Sequence, residues 1–181
     1  MKNAFQFSGK KIGSLLLVIC MVLILLPTTA FAASDITIDA TNFPDTNFRD
    51  WLLDSKNLAG IGADGKLTEA EIDSVTSLNV PQESIESLAG IEHFTALTTL
   101  NCSLNWLTEL PAALPAGLTN LDCSNNSLTA LPALPTGLKN LYCEENQLSV
   151  LPTLPSGLTY LRCSVNRLTA LSSSAHQPDR P

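Results

Sequence analysis

Apolar residues return along the second half of the chain in one fixed order. The first full copy reads Leu97-x-x-Leu100-x-Cys102-x-x-Asn105-x-Leu107. Leu118, Leu121, Cys123, Asn126 and Leu128 repeat it, as do Leu138, Leu141, Cys143, Asn146 and Leu148, then Leu158, Leu161, Cys163, Asn166 and Leu168. A weaker copy precedes them, with Val75, Leu78, Val80, Glu83 and Ile85 in the same places. About five coils are predicted, beginning near Val75. A unit this short cannot bury its apolar side alone, so successive units must stack as a solenoid. Within x-Leu-x-Cys the period is two, which predicts a short strand with Leu100 and Cys102 inward and Asn101 and Ser103 outward. Stacking such strands gives a parallel sheet on one face.

The asparagines fall just after each strand, where the backbone loses its ladder partners. An amide both donates and accepts, so Asn105, Asn126, Asn146 and Asn166 are expected to form a buried ladder that holds each turn and takes no part in catalysis. On the return path come Pro111 and Pro115, Pro132 and Pro135, and Pro152 and Pro155, followed by Gly117, Gly137 and Gly157. Such density of proline forbids helix and predicts extended backbone, with the glycines turning the chain into the next strand.

Residues 33–74 have a different pattern. Ile36-Thr37-Ile38 alternates, and Phe48, Trp51 and Leu52 then share one helical face, with Asp45 or Thr46 as the helix cap. This segment is expected to be a small helical cap over the first coil's open end. Within it, Gly60–Glu71 has EF-hand spacing, with Asp64 at the fifth place, Gly65 at the sixth and Glu71 at the twelfth. The first and third places are Gly60 and Gly62, so two calcium ligands are missing. Two readings stand: a calcium site through Asp64 and Glu71, or a turn followed by the capping box Thr68-Glu69-Ala70-Glu71, which the residues favour.

The repeated sentence resembles the bacterial leucine-rich repeats, and its Leu-Pro-x-Leu-Pro-x-Gly-Leu form resembles the short class found in invasion-plasmid-antigen-type effectors. The resemblance runs over residues 75–171. It implies an α/β solenoid with a parallel sheet on the concave face and a mostly extended convex side, used for binding a protein. It does not imply the ligase activity of those effectors, because their catalytic Cys-x-Asp motif is not found.

Residues outside the repeat refine this picture. Lys2, Lys10 and Lys11, the apolar run 15–26 and the small residues of Ala30-Phe31-Ala32 read as a secretory signal peptide over 1–32. The run is short of the about 20 residues a membrane span needs. A secreted, extracellular protein without a membrane anchor after processing is therefore expected. The formal charge is −7, and residues 1–32 carry three of the ten basic residues but none of the seventeen acidic ones. The mature chain is thus more acidic still, which argues against nucleic acid.

Of five cysteines Cys20 lies in the signal segment, and the four of the mature chain invite disulfides, yet each of the four occupies the same place in the repeat. Equivalent side chains on adjacent coils point in parallel, which suits a stacked core column better than a disulfide or a tetrahedral metal site. His93 and His176 have no nucleophile or acid beside them in any motif, so no enzymatic activity is expected. Leu134-Pro135-Thr136-Gly137 lacks the residue that a cell-wall sorting signal needs before its threonine.

Recognition is therefore assigned to the outward strand positions: Thr99, Asn101 and Ser103, then Asn120, Asp122 and Ser124, then Asn140, Tyr142 and Glu144, then Tyr160, Arg162 and Ser164. Asn101, Asp122, Asn140, Tyr142, Glu144, Tyr160 and Arg162 are the candidate binding residues. Tyr142, Tyr160 and Arg162 form the expected hot spot, since aromatics and arginine dominate interface energies. Residues 172–181 read as a disordered tail with no capping pattern, which leaves Leu158, Leu161, Cys163 and Leu168 facing water. That edge suggests the alternative of a fragment of a larger adhesin or effector.

Overall fold

The computed structural model describes residues 35–169. The signal-peptide segment 1–32 and the tail 172–181 lie outside the described residues.

The N-terminal segment opens with strand β1 (Ile36–Thr37) and helix α1 (Thr46–Leu53), and continues through β2 (Lys66–Leu67) and α2 (Glu69–Ser74). Asp45 caps α1 by accepting the Phe48 N–H at 2.9 Å. Phe48 and Leu52 are buried on its inner face, while Trp51 is half-buried. Helix α2 starts with the expected capping box: Thr68 Oγ1 accepts from Glu71 N, and Glu71 Oε2 accepts from Thr68 N at 2.8 Å. Strands β1 and β2 pair antiparallel, Ile36 opposite Leu67.

The repeats supply β3 (Ser77–Asn79), β4 (Thr99–Asn101), β5 (Asn120–Asp122), β6 (Asn140–Tyr142) and β7 (Tyr160–Arg162). Among the described residues they make one parallel sheet in strict chain order, with Leu78, Leu100, Leu121, Leu141 and Leu161 stacked in register. The register holds although the coils differ in length by up to two residues, because each strand carries its inward apolar residues in the same order. Leu97, Leu118 and Leu138 form a second buried column, and Leu107, Leu128 and Leu148 a third. Fully burying one leucine contributes about 1.5–3 kcal/mol, and each column needs a neighbouring coil to achieve it. In the last described coil Leu158, Leu161, Cys163 and Leu168 are only half-buried, where their counterparts are closed off.

The return path is extended, with the short 3-10 turn Ile91–His93 before β4 and no helix between β4 and β7. Each Pro-x-Gly-Leu closes a tight turn: Leu118, Leu138 and Leu158 donate to Pro115, Pro135 and Pro155 at 3.0–3.1 Å. The turning role expected of Gly117, Gly137 and Gly157 does not use left-handed backbone. That conformation falls instead on the residue just before each inward asparagine: Leu104, Asn125, Glu145 and Val165, all with φ between 53° and 57°.

The asparagine ladder is present. Asn146 Oδ1 accepts from Leu128 N at 2.9 Å, and its Nδ2 faces the carbonyls of Cys123, Cys143 and Glu144 at 3.0–3.3 Å. Asn105, Asn126 and Asn166 repeat this arrangement. Every one of them reaches back to the preceding coil as well as to its own turn. The first coil has no preceding coil, and Glu83 holds the asparagine place there. Asp45 ties that coil down from the other side: its Oδ2 accepts from Glu86 N and Ser87 N at 2.8 and 3.0 Å, while Asn47 Nδ2 donates to Ser84 O.

Two stability predictions follow from these turns. Asn146→Ala leaves the Leu128 N–H buried without a partner, while the Cys123 carbonyl keeps Asn126 Nδ2 as a donor, and urea denaturation should show a loss of about 2 kcal/mol. Val165→Asn replaces a β-branched residue in left-handed backbone by the residue type that Asn125 already places there. It should raise stability by about 1 kcal/mol in the same assay, and an unchanged or lower midpoint would contradict the strain argument.

Candidate functional site

The outward face of the sheet is polar over its first coils, and its polar groups largely satisfy one another. Asn101 Nδ2 donates to Asn79 Oδ1 at 2.8 Å, Asn120 Nδ2 to Thr99 Oγ1 at 3.3 Å, and Asn140 Nδ2 to Asn120 Oδ1. Asn101 Oδ1 also accepts from Ser103 N. Asp122 Oδ1 takes both the N–H and the hydroxyl of Ser124, at 3.0 and 2.6 Å. These bonds correct one expectation: Ser103 and Ser124 are buried. Strict alternation ends where the chain begins its turn, and each serine folds under the side chain two residues before it.

The pattern changes in the last two strands. Tyr142 and Tyr160 sit side by side, Tyr142 in the column of Asn101 and Asp122 and Tyr160 in that of Asn120 and Asn140, with ring centroids 5.2 Å apart and tilted by 41°. Arg162 donates from Nε to the Tyr160 hydroxyl at 2.7 Å, its guanidinium 5.6 Å from the Tyr160 ring centroid. The hydroxyl contact holds the guanidinium pKa above its ordinary value. Glu144 Oε1 lies 3.8 Å from Arg162 Nη1. The structure thus gathers Tyr142, Glu144, Tyr160 and Arg162 into one cluster, with Asp122 paired across the ladder to Tyr142. Asn101 and Asn140 are engaged in the polar ladder instead.

Asp64 and Glu71 are both occupied by local backbone. Asp64 Oδ1 accepts from Lys66 N at 3.0 Å, and Glu71 Oε2 serves the α2 cap. Among the described residues no group of three or more His, Cys, Asp or Glu is placed to hold a metal ion. His93 packs edge-on against Phe43, centroids 5.6 Å apart, at the junction before the first full repeat.

An exposed pair, Leu104 and Trp106, was not singled out by the outward-strand rule. Trp106 is 60% exposed beside β4, and Leu104 is held outward by its left-handed backbone. Their signal was in the repeat itself: the equivalent places hold Asn125 and Ser127, then Glu145 and Gln147. Beyond the sheet, a groove of about 480 Å³ runs between the proline segments, lined by Leu134, Pro152, Leu154 and Pro155 among others. A polar hollow of about 330 Å³ lies among Asn47, Asp50, Trp51, Asp54, Asn57 and Glu83.

The cysteines form the expected column of free thiols. Cys102, Cys123 and Cys143 are fully buried, and each Sγ points at the backbone carbonyl of the next coil: Asp122, Tyr142 and Arg162, at 3.3–3.5 Å. Burial raises all four thiol pKa values, that of Cys143 to about 12. A thiol that stays protonated is a poor nucleophile.

No family model and no curated protein matches the chain's sequence. Solved structures do. The functional domain of InlJ from Listeria monocytogenes, which includes a cysteine ladder, aligns with a TM-score of 0.65 at 33% identity, over 79% of this chain and 31% of that one. An internalin from the same species, InlF, aligns with a TM-score of 0.59 at 24% identity, over 77% and 48%. The leucine-rich-repeat domain of a Shigella effector aligns at 32% identity over 57% of this chain and 55% of its own, with a TM-score of 0.41. The chain therefore spans about a third to a half of the length of these Listeria structures.

The thiol column generates a pH prediction. Because the folded values lie above the ordinary value of about 9, the thiols disfavour unfolding least once the unfolded chain begins to ionise. The contribution of Cys143 to stability should be constant below pH 9 and fall between pH 9 and 12, by up to about 1.4 kcal/mol per pH unit. Urea midpoints measured across that range should fall less steeply for Cys143→Ala than for the parent chain. Equal slopes would count against the column's role.

Proposed function

We propose that this chain, a bacterial leucine-rich-repeat solenoid, is a secreted recognition module that binds a protein partner through the outward face of its sheet. The observation that carries this reading is the Tyr142–Tyr160–Arg162 cluster. The earlier coils have their amides and hydroxyls bonded to one another, so they offer a partner few free groups. The last two strands instead present two aromatic rings and a guanidinium, the side chains that supply most binding energy at protein interfaces. Tyrosine brings a large contact area with few rotatable bonds, so ordering it on binding costs little entropy.

Secretion is supported by residues 1–32, whose basic start, apolar run and small-residue end suit export. The segment before the first coil serves as its cap: Asp45 and Asn47 satisfy backbone groups of that coil, and Phe43 packs against Phe94 with centroids 6.4 Å apart. The same seating requires Gly90, where an added Cβ would lie 2.3 Å from the Phe43 ring. Recognition on such a scaffold needs no catalytic group.

The test is capture from an extract of surface proteins by the parent chain, by Tyr142→Ala/Tyr160→Ala, and by Thr153→Ala on the proline side. A partner held by the parent and by Thr153→Ala, and weakened at least about 30-fold by the double tyrosine change, is the expected result. Equal capture by all three would remove the sheet face from consideration.

A further inference from the structure

Glu144 stands where the neighbouring coils carry Ser103, Ser124 and Ser164. Ser103 and Ser124 are satisfied by Asn101 and Asp122, the side chains two residues before them. In the coil of Glu144 that earlier residue is Tyr142, whose ring supplies no equivalent contact. The Glu144 side chain is only 18% exposed. Its Oε2 is shielded from solvent and has no hydrogen-bond partner, alone among the side-chain atoms of the described residues. Its Oε1 approaches Arg162 at 3.8 Å, beyond hydrogen-bond reach, because Arg162 is committed to Tyr160. A carboxylate this far removed from water ordinarily acquires donors, since leaving it without them is costly.

We infer that Glu144 is the anchor for a cationic side chain, a lysine ammonium or an arginine guanidinium, presented by the protein partner. The inference rests on the sheet-face reading above and names the chemistry that the face selects. Three features favour a cation. The carboxylate has an acceptor to spare, and rotation about its last bond, a soft two-fold torsion, brings either oxygen to the surface. The Tyr142 and Tyr160 rings lie side by side in the same cluster, joined to Glu144 through Arg162, and aromatic faces attract a cation passing over them. Asp122 and Glu144 outnumber the single guanidinium of Arg162 in the cluster, within a chain of formal charge −7. The Arg162 side chain is 58% exposed and tied to the Tyr160 hydroxyl rather than to Glu144, so a guest cation at Glu144 need not displace that bond.

The experiment is panning of a displayed library of random heptapeptides on the immobilised protein, with parallel panning on Glu144→Gln and on Tyr142→Ala/Tyr160→Ala. Thermal melts confirm that each variant folds; Glu144→Gln should melt close to the parent, since it keeps the side chain's shape and gives up only a long contact to the exposed Arg162. The expected result is a parent pool enriched in lysine or arginine. Synthetic peptides from it should bind at least tenfold more weakly to Glu144→Gln, and equally weakly when their basic residue is replaced by norleucine. A pool that depends on the tyrosines but shows no basic enrichment, or binds Glu144→Gln as well as the parent, overturns this inference and leaves the sheet-face reading standing. A pool indifferent to the tyrosines overturns both.

Discussion

Each coil of this solenoid ends its strand in a turn that strands several backbone groups in the core, and one asparagine amide resolves them. The amide works because one short side chain carries a carbonyl acceptor and two N–H donors on separate atoms. Its oxygen takes an N–H of the preceding coil, and its nitrogen reaches carbonyls of the preceding coil and of its own turn, as at Asn126. The turn and the coil-to-coil contact are therefore one interaction. The backbone must pass through the left-handed region just before the asparagine to bring the amide inward, and the chain accepts even Val165 there. Strain at one residue is outweighed by the hydrogen bonds it makes possible.

The direction of that amide explains an irregularity in the repeat. Each asparagine reaches toward the N-terminus, so a coil with nothing before it has no use for one. Glu83 occupies that place, and the backbone of the first coil is completed from outside by Asp45, which caps α1 with one oxygen and binds two N–H groups with the other. The thiols run the opposite way, each directed at the carbonyl of the following coil. One polar column thus ties every coil backward and a weaker one ties it forward, both within the same core.

Most of this architecture was legible because a repeat is read many times over. The strand register, the inward columns and the asparagine ladder all follow from residues that recur at fixed spacing, and the structure places them as that spacing demands. What escaped the pattern was local. The period of two breaks at Ser103 and Ser124, where an acceptor two residues earlier draws the backbone under. The glycines turn the chain without left-handed backbone, which falls instead on residues with no common chemistry: Leu104, Asn125, Glu145 and Val165. Trp106 was overlooked because the outward rule considered the strands and not the turns beside them.

The same division bears on where specificity resides. An inward residue is constrained by the coils on both sides, so a change there is felt along the column. An outward residue meets only its lateral neighbours, and on the first coils those neighbours are amides and hydroxyls that bond to one another from coil to coil. A ladder of that kind tolerates substitution at its end more readily than in its middle, since only one bond is lost. Tyr142, Glu144, Tyr160 and Arg162 depart from the polar pattern at that end, beyond Asn140, the last amide of the ladder. They are free to serve a partner because the scaffold does not need them: its turns are held by asparagines and its coils by leucines. Deviation from the repeat, on the face the core leaves unconstrained, is the physical ground on which the proposed recognition rests.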